Sequence, residues 1–267
     1  MSAIASTRSR LPDRAGPVEV EVTGDIAVLT FDRAEKRNAI SDAVADGLRA
    51  FFTDPPKQVR AVVITGAGGH FSAGLDLGEQ SRREPTEVLK HSRRWHQLMD
   101  MIQFGGLPVV AAMSGSVIGG GLEIAASCHV RVAEPSARFQ LPEGKRGIFV
   151  GGGATVRIGR ILGPDRMTEM MLTGRVYEAE EGYRLGLAHY LVGEGEGLEK
   201  AVALARDIAS NASLVNYLVI HSIARIDDMS RGDGLYAESL SAALSQCGPD
   251  ALEGLNAFLE KRKPNFS

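Results

Sequence analysis

Apolar and polar residues alternate strictly over residues 18–22, with valine at every second position and glutamate between. A period of two suits a strand with one buried and one exposed face. Thr23-Gly24-Asp25 turns the chain into the mostly apolar residues 26–31, a second strand, so the two segments predict an opening hairpin. Residues 33–38 form a polar, basic loop, and Ser41 or Asp42 can cap a helix running to about Phe52. The unbroken apolar run 61–65, closed by Gly66, predicts a strand buried on both faces. From Pro85 to Phe104 the period becomes helical, with Val88, Leu89, Trp95, Leu98, Met99 and Ile102 as a packing stripe. Leu107-Pro108 leads into another buried strand over 109–113.

Gly119-Gly120-Gly121-Leu122-Glu123 then ends a loop and opens an apolar helix. A helix N-terminus approached through glycines can hold an anion or a developing oxyanion. The same residues also suit a plain turn before a core helix with a capping glutamate, and the stretch alone leaves both readings open. Residues 130–133 read as the next strand. Leu141-Pro142-Glu143-Gly144 supplies a second carboxylate, and Gly151-Gly152-Gly153 opens another helix. From Pro164 onward the pattern is helical, with breaks expected near Gly174, Gly193–Gly197, Asn211, Gly232–Gly234 and Gly248-Pro249. Strand–helix alternation followed by a helical tail predicts an α/β core with a C-terminal helical region. The expected divisions are a flexible tail over 1–17, a core over 18–195 and a helical region over 196–267.

Composition narrows the function classes. A net charge of −3 gives no global attraction to nucleic acid or to an anionic membrane, so an anionic ligand must be held by local groups. No apolar run reaches transmembrane length. Cys128 and Cys247 are far apart and match no metal-ligand spacing, which fits a reducing cytoplasm and predicts no metal site. No G-x-S-x-G elbow supports a serine hydrolase. Gly144-Lys145 lacks the rest of a phosphate loop, and Phe71 stands where a dinucleotide fingerprint needs glycine.

Five stretches carry a resemblance. They are Lys36-Arg37-Asn38-Ala39, Phe71-Ser72-Ala73-Gly74-Leu75-Asp76-Leu77, Gly119 to Glu123, and Leu141-Pro142-Glu143 with Arg146-Gly147. The fifth is the terminal Phe258-Leu259-Glu260-Lys261-Arg262-Lys263-Pro264. In this order the chain resembles the crotonase, or enoyl-CoA hydratase/isomerase, superfamily from about Val18 to Phe266. The resemblance implies a crotonase-like core of ββα superhelical turns. It also implies C-terminal helices that assemble trimers or dimers of trimers, and a coenzyme A thioester substrate with no separate cofactor. It places a backbone oxyanion hole at Leu75 and Gly120, acid/base carboxyls at Glu123 and Glu143, and a water-positioning N–H at Gly151. The CoA contacts it implies are Lys36, Arg37, Ala39, Ala73, Asp76 and Leu77, with Lys261 reaching a neighbouring subunit's CoA. Both glutamates together favour hydration of a 2-enoyl thioester, whereas isomerases commonly keep only the second. A thioester hydrolase or an enoyl-CoA isomerase on the same fold, and a non-catalytic acyl-CoA binder, are the alternatives.

Three departures from the family pattern bear on substrate. His129 stands where many members have Asp, and is expected to be buried and hydrogen-bonded. Gly144 after the glutamate is expected to loosen Glu143. Phe149-Val150 is expected to narrow the acyl pocket toward short substrates, with some likeness to the methylthioacryloyl-CoA hydratases, in which hydration precedes thioester cleavage.

Overall fold

The computed structural model describes residues 7–10, 17–79 and 84–266. β1 (Thr7–Arg10) pairs antiparallel with β2 (Val18–Thr23), and β2 turns at Gly24 into β3 (Ile26–Phe31). The flexible tail expected over 1–17 is therefore corrected at Thr7–Arg10, whose backbone extends the sheet along an otherwise open edge of β2. The rest of that expected tail, apart from Pro17, lies outside the described residues. α1 (Asp42–Thr53) follows, with the Ser41 hydroxyl accepting from Val44 N–H at 3.2 Å as its cap.

The chain continues through β4 (Ala61–Gly66), α2 (Pro85–Phe104), β5 (Val109–Met113), β6 (Ser116–Ile118), α3 (Gly120–Ser127), β7 (Val130–Ala133) and β8 (Arg138–Gln140). Then come α4 (Ala154–Leu162), α5 (Pro164–Thr173), β9 (Tyr177–Glu178), α6 (Ala179–Arg184) and β10 (Tyr190–Leu191). α7 (Gly197–Ala209), α8 (Ser213–Ile226), α9 (Arg231–Gln246) and α10 (Pro249–Leu259) complete it. A seven-stranded sheet runs β1-β2-β3-β4-β5-β7-β10, parallel from β3 onward, and a small second sheet runs β6-β8-β9.

The large sheet is covered on both faces, as a parallel sheet requires. Val62 and Ile64 of β4 face the main core with Leu29, Leu98 and Ile102. Ala61 and Val63 face the other way, against Ala201, Ala205 and Ala209 of α7. Those alanines recur every four residues, so one small-residue stripe lets the helix lie close on the sheet. The α/β class and C-terminal helical region anticipated from patterning are observed.

Three expectations need correction. The packing stripe of α2 holds for Trp95, Leu98, Met99 and Ile102, but Val88 and Leu89 are more than half exposed. The first turns of α2 overhang a pocket instead of the core. The second sheet was not visible in the pattern because its strands are two or three residues long. Gly232 and Gly234 sit inside the first turns of α9, and the chain breaks before it, where Ser230 caps the helix.

Candidate active site

The glycine loop before α3 is shaped by what presses on it. Gly119 has φ 52°, and a Cβ there would lie 2.7 Å from Glu143 Oε1. A side chain would therefore meet both a strained backbone and the catalytic-type carboxylate. Gly119 N–H donates to the Gln140 carbonyl at 2.9 Å, which ties the end of β8 to the loop and carries Glu143 over it. Glu143 itself begins a short 3-10 turn at Glu143–Arg146.

Leu75 is set by a neighbouring loop. Ile40 N–H donates to the Gly74 carbonyl at 2.7 Å and Asp76 N–H donates to the Ile40 carbonyl at 2.9 Å. These two bonds fix the peptides on either side and turn the Leu75 N–H toward the glycine loop. The two amides come together there: a Cβ built on Gly120 would sit 3.6 Å from the Leu75 nitrogen. Among the described residues neither N–H donates to a protein acceptor. Buried Asn38 and Ser72 brace this arrangement, Asn38 through the Ala67 and His70 carbonyls and Ser72 Oγ–H through the Asn38 carbonyl at 2.7 Å.

Glu123 lies in the first turn of α3, and its Oε1 accepts from Gly152 N–H at 2.8 Å and Ala154 N–H at 3.0 Å. A Cβ on Gly152 would come within 2.5 Å of Glu123 Oε2, so only glycine lets this peptide approach. Burial pushes the Glu123 carboxyl up to about 7, against the pull of those two N–H donors, with the nearby Glu143 charge adding to the rise. Burial also raises Glu143, opposed by its own main-chain N–H and by Arg146. Glu143 Oε2 is buried with no hydrogen-bond partner among the described residues. An unpartnered buried carboxyl oxygen is costly unless something else occupies the site.

These groups line one cavity of about 380 Å³. Leu75, Gly120, Glu123, Glu143 and Gly151 all reach it, so the five residues assigned to the chemistry converge. Of the CoA set only Leu77 lines it. Lys36 pairs with Asp76 at 3.0 Å, and Arg33 pairs with the same carboxylate oxygen at 2.8 Å. The Arg33 and Lys36 bonds hold the buried Asp76 carboxyl down at about 2, helped by Gly78 N–H. Asp76 thus anchors the loop that carries Lys36. Arg37 is exposed beside it in a left-handed conformation. Ala39 and Ala73 act through backbone, accepting from Arg33 and donating to Arg37. Lys261 lies beyond α10, exposed, and lines no part of this cavity.

The departures resolve physically. His129 is half-buried, short of the burial expected; its Nδ1 accepts from Val109 N–H at 2.9 Å and its Nε2 faces the Gln103 carbonyl at 2.9 Å. Gly144 does not free Glu143: a Cβ there would lie 2.5 Å from the Met171 carbonyl, so the glycine lets the turn pack on α5. Phe149 is 71% exposed at the cavity mouth, and Val150 is the buried member of the pair. The expected narrowing by Phe149 is corrected accordingly. Sequence reasoning missed Ser92, His91 and Arg146, which also line the cavity. Ser92 and His91 lie on the stripe of α2 read as core packing, which is why no separate signal marked them.

A two-sheet α/β fold with paired free amides and two buried carboxyls over one pocket defines a protein that polarises a carbonyl and moves protons beside it. The enoyl-CoA hydratase/isomerase family profile matches residues 21–267. Mycobacterium tuberculosis enoyl-CoA hydratase EchA19 is 32% identical over 252 residues, covering 92% of this chain and 95% of that protein. Escherichia coli 2,3-dehydroadipyl-CoA hydratase is 32% identical over 245 residues, covering 90% and 94%. The crystal structure of a candidate enoyl-CoA hydratase from Rhodopseudomonas palustris superposes with a TM-score of 0.91 at 45% identity, covering 95% and 98%. The chain belongs to the enoyl-CoA hydratase/isomerase family, and it is a hydratase-type lyase acting on enoyl-CoA thioesters.

Proposed function

We propose that the protein hydrates a short 2-enoyl-CoA thioester with Glu123 and Glu143 as its acid/base pair and the Leu75 and Gly120 N–H groups as its oxyanion hole. The observation that carries this is the convergence of both buried carboxyls and both free amides on one cavity. Two N–H donors on Oε1 favour the ionised form of Glu123, so it serves as base. The buried, unpartnered Oε2 of Glu143 favours its protonated form, so it serves as acid.

The steps balance as one water added. Glu123 takes a proton from water as the oxygen bonds to the β-carbon, and the double-bond electrons move onto the thioester oxygen. The paired amides stabilise that charge where it develops. Glu143 then gives its proton to the α-carbon, leaving a 3-hydroxyacyl thioester. Proton exchange with solvent resets the pair. The Gly151 N–H, which donates to no acceptor among the described residues, is the donor assigned to hold the attacking water.

The wall supports a short substrate. Trp95 and Val150 are buried beside the carboxyls, and a cavity of about 380 Å³ suits a short acyl group. A β-substituted acryloyl thioester such as methylthioacryloyl-CoA fits this description, and hydration of it can be followed by thioester cleavage. The assay is loss of enoyl absorbance from crotonyl-CoA, run beside thiol release. Absorbance loss without free thiol supports a hydratase alone. Thiol release without hydration would replace this reading with a thioester hydrolase.

A further inference from the structure

Both main-chain donors to Glu123 bind a single oxygen, Oε1. One of them, Gly152 N–H, belongs to the peptide unit whose carbonyl is that of Gly151. In a trans peptide these two groups point in opposite directions. The carbonyl accordingly faces α2, where it accepts from Ser92 Oγ–H at 2.7 Å. A continuous chain results: hydroxyl to carbonyl, then through the peptide bond, then N–H to carboxylate. Dipoles aligned in this way strengthen one another, so a donor on the carbonyl makes the N–H a better donor.

Among the described residues, Ser92 is the only side chain that bonds the carbonyl end of this peptide, opposite Glu123 at its N–H end. Gly151 and Gly152 have no side chains to hold it, and the tight approach of Gly152 to Glu123 requires that freedom. Ser92 lies one turn before Trp95 on α2, so the same helix that walls the pocket also sets the peptide's tilt. His96 stands behind, with its Nε2 3.4 Å from Ser92 Oγ. The charged groups facing Glu123 are Glu143 and Arg157.

We infer that Ser92 is a positioning residue for hydration: its hydroxyl orients and polarises the Gly151–Gly152 peptide, and that peptide favours the ionised form of Glu123, with Oε2 turned to the water. This rests on the two-carboxyl reading above, but its direct test does not need turnover. In pH-difference infrared spectra, the carboxyl band that Glu123→Gln removes reports the Glu123 titration. Ser92→Ala is expected to raise that midpoint by roughly half a pH unit or more, because the carboxylate loses donor strength. It should lower kcat about tenfold with KM within about twofold. Ser92→Thr, which keeps the hydroxyl, should restore both. In a Glu123→Gln background, Ser92→Ala should cost nothing further. An unmoved midpoint in Ser92→Ala overturns the inference whatever the rate does, as does an equal rate loss in the Glu123→Gln background. A moved midpoint in a protein that fails to hydrate enoyl-CoA would sink the function reading and leave standing only Ser92's hold on the Gly151–Gly152 peptide and Glu123.

Discussion

Glu123 shows how one side chain's burial couples chemistry to stability. Its carboxyl is raised from 4.5 to about 7, so the folded protein holds this proton more tightly than the unfolded chain. Unfolding then releases protons between these values, and the group's contribution to stability falls as pH rises from about 4.5 to about 7. The loss is on the order of 3 kcal/mol at pH 8. Glu123→Gln keeps an oxygen for the Gly152 and Ala154 N–H groups but cannot ionise. It is expected to melt higher than wild type at pH 8 and to lose that advantage at pH 4, by thermal denaturation at both values. Its kcat should fall ~10²–10⁴-fold while acyl-CoA binding stays within a few-fold. A variant that retains a tenth of wild-type kcat contradicts the base role. Gly152→Ala tests the same contact from the other side. A methyl 2.5 Å from Oε2 must push the carboxylate away, so activity should drop while the protein loses about 1–3 kcal/mol in denaturant titration.

At the scale of elements, patterning revealed what repeats and missed what is short. β2 and α2 were legible through a clean period, and β3 and β5 as mostly apolar runs of five or more residues. β6, β8 and β9 were not, since two or three residues cannot show a period, and yet this small sheet carries Glu143 to Gly119. Glu123, Glu143 and the two amides were legible through motif order, which encodes loops that periodicity ignores. Ser92 was hidden because a polar residue on an apolar helical stripe reads as an interruption. Gly144 was misread because conformational freedom is visible in a sequence and the nearby Met171 carbonyl is not. Gly144→Ala is therefore expected to destabilise by about 1–3 kcal/mol, with the largest loss of hydrogen-exchange protection in α5. Unchanged stability with altered kcat would restore the loosening explanation.

For the whole molecule, the contrast lies between a dry core and an apolar outer rim. Leu235, Tyr236, Leu240 and Leu244 on α9 and Leu252, Leu255, Phe258 and Leu259 on α10 are each about half exposed or more. Exposed apolar side chains in this number mark a candidate protein contact. We propose that these helices join copies of the chain into a trimer or a pair of trimers, which would also bring Lys261 near a neighbour's pocket. Light scattering at micromolar concentration should give three or six times the 28.5 kDa chain mass. A lone monomer rules this assembly out. Among the described residues no helix is long and apolar enough to cross a membrane.

The central claim is that one pocket adds water across the double bond of an enoyl thioester. Its most direct test is the product formed from crotonyl-CoA in D₂O, followed by mass spectrometry and proton NMR. The expected product is a 3-hydroxyacyl-CoA carrying one solvent deuterium on the α-carbon in a single configuration, delivered from Glu143. An unhydrated positional isomer, or free CoA with crotonate bearing no α-deuterium, would contradict it.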